Sequence, residues 1–266
     1  MSSRRPGMYA DISDDQLRNL FSSDNWKNNL SYEQRMAACQ EVENRLAEER
    51  GTEPRNVMSE HMDGACYGYQ SGYTIALNEE MMRDGTFSST YIDEQGSPQT
   101  ITVDVPAPSW NTLDTICHED MHGVQEDEGR AATMASYVKP ETDYELYRIQ
   151  PCEREAYDAG ESYTLSAINR VEAASGEVDP DKLAYLEVIE QNSYDDARAS
   201  AAEHYADPDI EQSLDEVLSD RQGGVFQTYD SESEQRISDA MDAQLAHDLV
   251  QDNYDGGASY DDGMGH

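Results

Sequence analysis

Residues 118–122 read His-Glu-Asp-Met-His, and this H-E-x-x-H run narrows what the chain can fold into more than any other feature. Histidines four positions apart lie on one face of an α-helix, so both imidazoles can reach a single metal ion. The glutamate between them, Glu119, sits one residue along, where its carboxylate can contact water at the metal rather than the metal itself. A carboxylate in that place is a general base: it takes a proton as water attacks a carbonyl and returns it to the leaving amine. The flanking residues 111–125, NTLDTICHEDMHGVQ, carry apolar Leu113, Ile116, Met121 and Val124 on faces that can pack. Asn111 and Asp114 form a weak capping pair that places the start of this helix at Asn111.

Three protein ligands and one open position make a catalytic zinc site, so a third ligand is required. The other histidines, His61, His204, His247 and His266, lie far away in unrelated contexts. A longer H-E-x-x-H-x-x-G-x-x-H motif is excluded, because its last position is occupied by Glu128. A carboxylate is therefore expected, and the segment 151–157, PCEREAY, offers both Glu153 and Glu155. Pro151 suits the first position of a helix, where its fixed φ fits and its missing N–H costs nothing.

HEDMHGVQ followed about thirty residues later by YRIQPCEREAYDAG resembles the H-E-x-x-H…E-x-x-A arrangement of gluzincin metallopeptidases. In particular it is similar to the small ImmA/IrrE-like peptidases and to related bacterial peptidase-like domains with an H-E-x-x-H-x-x-Q core. The resemblance covers about residues 31–165. It implies a zincin-like fold, one Zn2+ per chain, and a peptide or protein substrate. It also implies Glu153 as the metal ligand, with Ala156 letting its helix sit close to the metal helix. Where that pattern usually has Asn or Asp after the alanine, this chain has Tyr157, with Asp158 next, so Glu155 stays as the alternative ligand. Tyr144, Tyr147 and Tyr157 are near enough in sequence to serve as oxyanion donors, and Gln125, one turn beyond His122, as support for a ligand.

Elsewhere the periodicity predicts an α+β fold, mostly helical with a small mixed sheet. A helix over residues 31–50 opens on the Ser31/Gln34 capping box and stops at Gly51. Strands are expected at residues 73–78, YTIALN, and 100–105, TITVDV, and a short helix at 14–21. Residues 126–150 read as a loop, and the Gly-rich run at 64–73 as a flap or sheet edge. Helix starts are expected at the Asp179-Pro180 and Asp207-Pro208 pairs and at the Ser231/Glu234 box. The organisation expected is a polar N-terminal segment (1–30), a zincin-like domain (31–175), an acidic helical extension packed on it (176–253) and a disordered tail (254–266).

Acidic residues outnumber basic ones 56 to 18, a formal net charge of -38. Such a surface repels phosphates and anionic lipid, which argues against nucleic acid or membrane partners and is compatible with cationic ones. It also keeps open a reading of another class: a non-catalytic acidic binding or mimic protein with a structural or vestigial zinc site. No run approaches the roughly 18 apolar residues of a membrane span, and the N-terminus has no apolar run behind its two arginines. The expectation is a cytoplasmic protein, or one exported without a cleavable signal peptide. Cys39, Cys66, Cys117 and Cys152 make neither a zinc knuckle nor a disulfide scaffold and read mostly as buried, inert thiols.

Overall fold

Two long helices, each opened by a proline, organise the computed structural model: α4 (Pro108–Asp127) and α6 (Pro151–Ser175). The structure describes residues 7–62, 66–92, 97–130, 137–140, 142–191, 193–207, 210, 213–214 and 216–217, all within one unit, Met1–Phe226. The helix starts expected at Asp207-Pro208 and Ser231/Glu234, and the tail at 254–266, lie outside the described residues.

α6 begins where the sequence places it, but α4 begins three residues earlier than expected. Pro108 takes the first helical position, and Ala107 before it adopts a left-handed conformation (φ 44°) with no side-chain cap. Asn111 is inside the helix, donating its amide to the Pro106 carbonyl. Asp114 is also no capping residue. Its carboxylate accepts from the Tyr185 hydroxyl at 2.6 Å, and burial pushes its pKa up to about 6 against the pull of Tyr185 and His118.

α4 and α6 pack on each other through small residues. Ala156 is fully buried, and at Gly160 a Cβ would come within 2.0 Å of the Asp114 carboxylate and 2.9 Å of its backbone carbonyl. Side-chain movement cannot relieve a backbone clash, and overpacking of this kind costs about 1–3 kcal/mol. Gly160→Ala is therefore expected to lower the melting temperature by about 2–10 °C, read by a thermal melt; an unchanged melt would mean the helices are not this close.

Around this pair lie two sheets and a shell of helices. α2 (Tyr32–Arg50) has the expected Ser31/Gln34 box and ends at Gly51. β1 (Asn56–Glu60) runs parallel to β3 (Thr74–Asn78), and β2 (Gly68–Ser71) runs antiparallel to β3 on its other side, giving the order β1-β3-β2. The mixed sheet is thus present, with β3 as its buried centre; β1 was not expected as a strand, and β2 is the edge strand within the 64–73 run read as a flap or sheet edge. Gln40 clamps β1 to α2: its side chain accepts from the Val57 N–H at 2.9 Å and donates to the Arg55 carbonyl at 2.9 Å. α3 (Glu79–Asp84) leads to a second sheet, the hairpin of β4 (Thr86–Ile92) and β5 (Pro98–Asp104). β2 lies against α4, since a Cβ at Gly68 would meet Thr115 at 2.8 Å.

The first thirty residues contribute more than their polarity implies. α1 (Asp14–Leu20) and a π-helical turn (Asn25–Asn29) bring Leu17, Phe21 and Trp26 into the same core as Trp110, Leu113, Ile116 and Ile168. Asp179 ties this segment down, accepting from the Ser23 N–H (3.0 Å), the Trp110 indole (3.0 Å) and the Asp181 N–H (3.0 Å). Beyond it, α7 (Lys182–Gln191) puts Tyr185 into the core.

The expected 126–150 loop contains a further helix, α5 (Tyr144–Ile149). With α8 (Tyr194–His204) it builds a second, smaller cluster of Val138, Leu146, Ile149, Ala197, Ala201 and Val217. Asp143 caps α5 through the Leu146 N–H at 2.9 Å and also accepts from the Tyr205 hydroxyl of the α8 end.

Under α4, on the side away from the histidines, a buried charge network holds the helix to its neighbours. Arg50 grips both oxygens of Asp120 at 2.7 and 2.5 Å, and Arg55 reaches Asp127 at 2.7 Å. Glu43 accepts from the Arg55 N–H at 2.7 Å, while its Oε2 has no hydrogen-bond partner. Burial first, and the Asp120 charge next, push Glu43 from its ordinary 4.5 up to about 8. A carboxyl raised by folding stabilises the protein below its ordinary value, and that stability is lost as pH rises through the folded value. The wild type should therefore weaken as pH rises from about 5 to about 8. Glu43→Gln should flatten that slope and melt several degrees higher at pH 9; parallel slopes in both proteins would contradict the assignment.

Candidate metal centre

The spacing on α4 places the His118 and His122 rings 4.8 Å apart, centroid to centroid, with their Nε2 atoms 3.1 Å from each other. Glu153 enters from the first turn of α6, where the helix dipole favours an anion. Its side chain is fully buried, with Oε2 3.4 Å from His118 Nε2 and Oε1 3.4 Å from His122 Nε2. One ligand atom from each of the three lies within 4.8 Å of the others, so these residues could hold a metal ion. Among the described residues this is the only such group.

The residues fit a divalent cation on two counts. Glu153 Oε2 is buried with no hydrogen-bond partner, an arrangement that costs free energy unless a cation compensates it. Two imidazoles and a carboxylate are also the donor set of open three-ligand metal sites.

The electrostatics show the same preference for positive charge. Burial would raise Glu153, but the His118 and His122 imidazoles beside it hold it well below the usual carboxylate range. Burial likewise opposes charge on His122, yet Glu153 and Glu119 outweigh it and push His122 up to about 9.

Gln125 settles the proton on His122. Its amide nitrogen donates to the Cys152 carbonyl at 2.9 Å and to Glu155 at 3.0 Å, so its oxygen must be the atom 3.0 Å from His122 Nδ1. Nδ1 therefore carries a hydrogen, and Nε2 is the nitrogen turned toward Glu153. The same bonds explain why Glu155 does not join the cluster. Its carboxylate faces Gln125 and a two-pronged contact from Arg130 at 2.7 and 3.1 Å.

Glu119 is buried beside the two histidines. Burial raises its pKa, with His118 and His122 pulling the other way and a backbone contact from Gln70 on β2 adding to that pull. The 64–73 run thus supplies a sheet edge next to this carboxylate, in its described residues.

Of the tyrosines singled out from sequence, Tyr157 packs edge-on against His118 at 4.7 Å between centroids. Tyr147 is close enough to Glu153 and Glu119 for their charges to raise its pKa, burial being the larger cause. Tyr144 stands outside, half exposed and stacked on Tyr147. Sequence reasoning missed Tyr137, whose hydroxyl donates to Glu153 Oε1 at 2.7 Å. No local pattern marks it. Cys117 and Cys152 are free and buried, with burial pushing Cys152 up to about 12, so neither is a thiolate at neutral pH.

No protein-family model matches the chain, and neither does any curated protein or solved structure. No helix among the described residues is long and apolar enough to cross a membrane.

Proposed function

We propose that the chain is a zinc-dependent hydrolase cleaving amide bonds in a peptide or protein, with zinc held by His118, His122 and Glu153. The observation that carries this reading is the buried Glu153 carboxylate, facing two imidazole nitrogens with one oxygen left without a hydrogen-bond partner. Bound zinc would supply Lewis acidity, polarising a carbonyl and bringing the pKa of water down to about 7. The rest falls to the chain. Gln125 fixes the His122 ring, Tyr157 packs against the His118 ring, and α4 and α6 set the distance between ligands. Glu119 takes a proton from the attacking water and hands it to the leaving amine nitrogen. A purely structural site has no use for that carboxylate, which favours catalysis.

The net charge of -38 supports a second reading, an acidic binding protein around a structural or vestigial zinc site. The two separate in one experiment. Zinc-loaded full-length protein is incubated with a mixed peptide library, and products are read by mass spectrometry. Cleavage that a chelator stops, that added zinc restores and that Glu119→Gln lacks supports the hydrolase. Absence of any cleavage, with salt-sensitive binding of basic proteins that survives Glu119→Gln, supports the alternative.

A further inference from the structure

We propose that Tyr137 is the positioning residue of this centre, donating its phenolic hydrogen to Glu153 Oε1 and so leaving Oε2 as the oxygen turned to a cation. The inference rests on the zinc reading above and adds a residue to it. Glu153 has two oxygens and two neighbouring imidazoles, and a carboxylate on a first helical turn can rotate about its terminal torsion. The Tyr137 hydroxyl, 2.7 Å from Oε1, removes that freedom. Oε2, 3.4 Å from His118 Nε2, is the oxygen that lacks a hydrogen-bond partner.

Tyr137 is itself held by a device that begins in the same helix as Glu153. Gln150, fully buried and at the N-cap of α6, pairs its side-chain amide with the backbone of Val138 in both directions. Its oxygen accepts from the Val138 N–H at 3.1 Å, and its nitrogen donates to the Val138 carbonyl at 2.9 Å. One residue thus starts the helix carrying the ligand and clamps the segment carrying the phenol. Val138 is buried in the α5–α8 cluster, so the clamp is backed by packing. The Tyr147 ring stands edge-on to Tyr137 at 6.3 Å between centroids. Hydrogen-bond partners that orient metal ligands change metal affinity by about 10–100-fold when removed, the range expected here.

The test is Tyr137→Phe in the full-length protein, which deletes the hydroxyl and keeps the ring. Zinc affinity is measured by competition with a chromophoric chelator, alongside the melting temperature of the metal-free protein. The expected result is zinc binding weakened about 10-fold or more with an unchanged metal-free melt. Gln150→Ala should weaken zinc binding in the same direction, and the double variant should be no weaker than the worse single one, since both act through one hydroxyl. Zinc affinity within twofold of wild type in Tyr137→Phe overturns the inference and leaves the hydrolase reading standing. A metal-free melt that falls in step with affinity also overturns it, because the residue would then be structural. Wild-type protein that takes up no zinc overturns both.

Discussion

Glu119→Gln is expected to lower the rate of peptide cleavage by about 10²–10⁴-fold while leaving zinc in place. The change keeps the size of the side chain and removes its ability to accept a proton. Glu119 lies beside His118 and His122 but is not one of the three groups that converge on a common point. The ligand set should therefore survive. Burial raises the pKa of Glu119, bringing it nearer the range where a general base both accepts and releases a proton. The check is kcat/KM on any peptide the wild type cleaves, with zinc content measured on the same samples. Loss of zinc together with activity would mean that Glu119 supports the metal rather than the chemistry.

Glu153→Ala is expected to weaken zinc binding by more than a hundredfold, beyond what loss of an orienting partner produces. Glu153 is the only carboxylate among the three converging residues, and both histidines lean on it. Without it, His122 loses the hydrogen bond and charge that push its pKa up to about 9. Glu155→Ala is the matched comparison. It breaks the contacts with Arg130 and Gln125 and should leave zinc content near that of wild type. Zinc retained in Glu153→Ala but lost in Glu155→Ala would reverse the ligand register.

The legibility of this site in the sequence varies residue by residue, for physical reasons. The histidine pair is readable because its spacing alone puts both rings on one face of a helix. That both candidate carboxylates, Glu153 and Glu155, ride the start of one helix follows from the proline that opens α6. Which carboxylate joins does not, since Glu153 and Glu155 point roughly 200° apart and either could face α4. Arg130, a tertiary partner at 2.7 Å, claims Glu155. Tyr137 was unreadable for the same reason: it meets Glu153 through folding of a stretch with no periodicity.

The fold divides in a similar way. α2 and β3 carry their own signals, a reciprocal capping box and a buried run of β-branched and aliphatic residues. The start of α4 was misplaced because Asn111 and Asp114 imitate a capping pair, while Asp114 is committed to Tyr185, 71 residues away. β1 is short and gains its strand identity from β3 and from the Gln40 clamp, neither of which a local window contains. Leu17, Phe21 and Trp26 are isolated apolar residues in a polar stretch, and tertiary hydrogen bonds, among them those from Ser23 and Trp110 to Asp179 and from Arg45 to the Ile12 carbonyl, fix that stretch against the core.

Whether His118, His122 and Glu153 hold one zinc ion is read by X-ray absorption at the zinc edge on the full-length protein purified without added metal. The expected result is about one zinc per chain, with two imidazole nitrogens and carboxylate or water oxygens around it and no sulfur. Sulfur scatterers at about 2.3 Å, which would implicate cysteines, or a protein that neither carries nor takes up zinc, would contradict it.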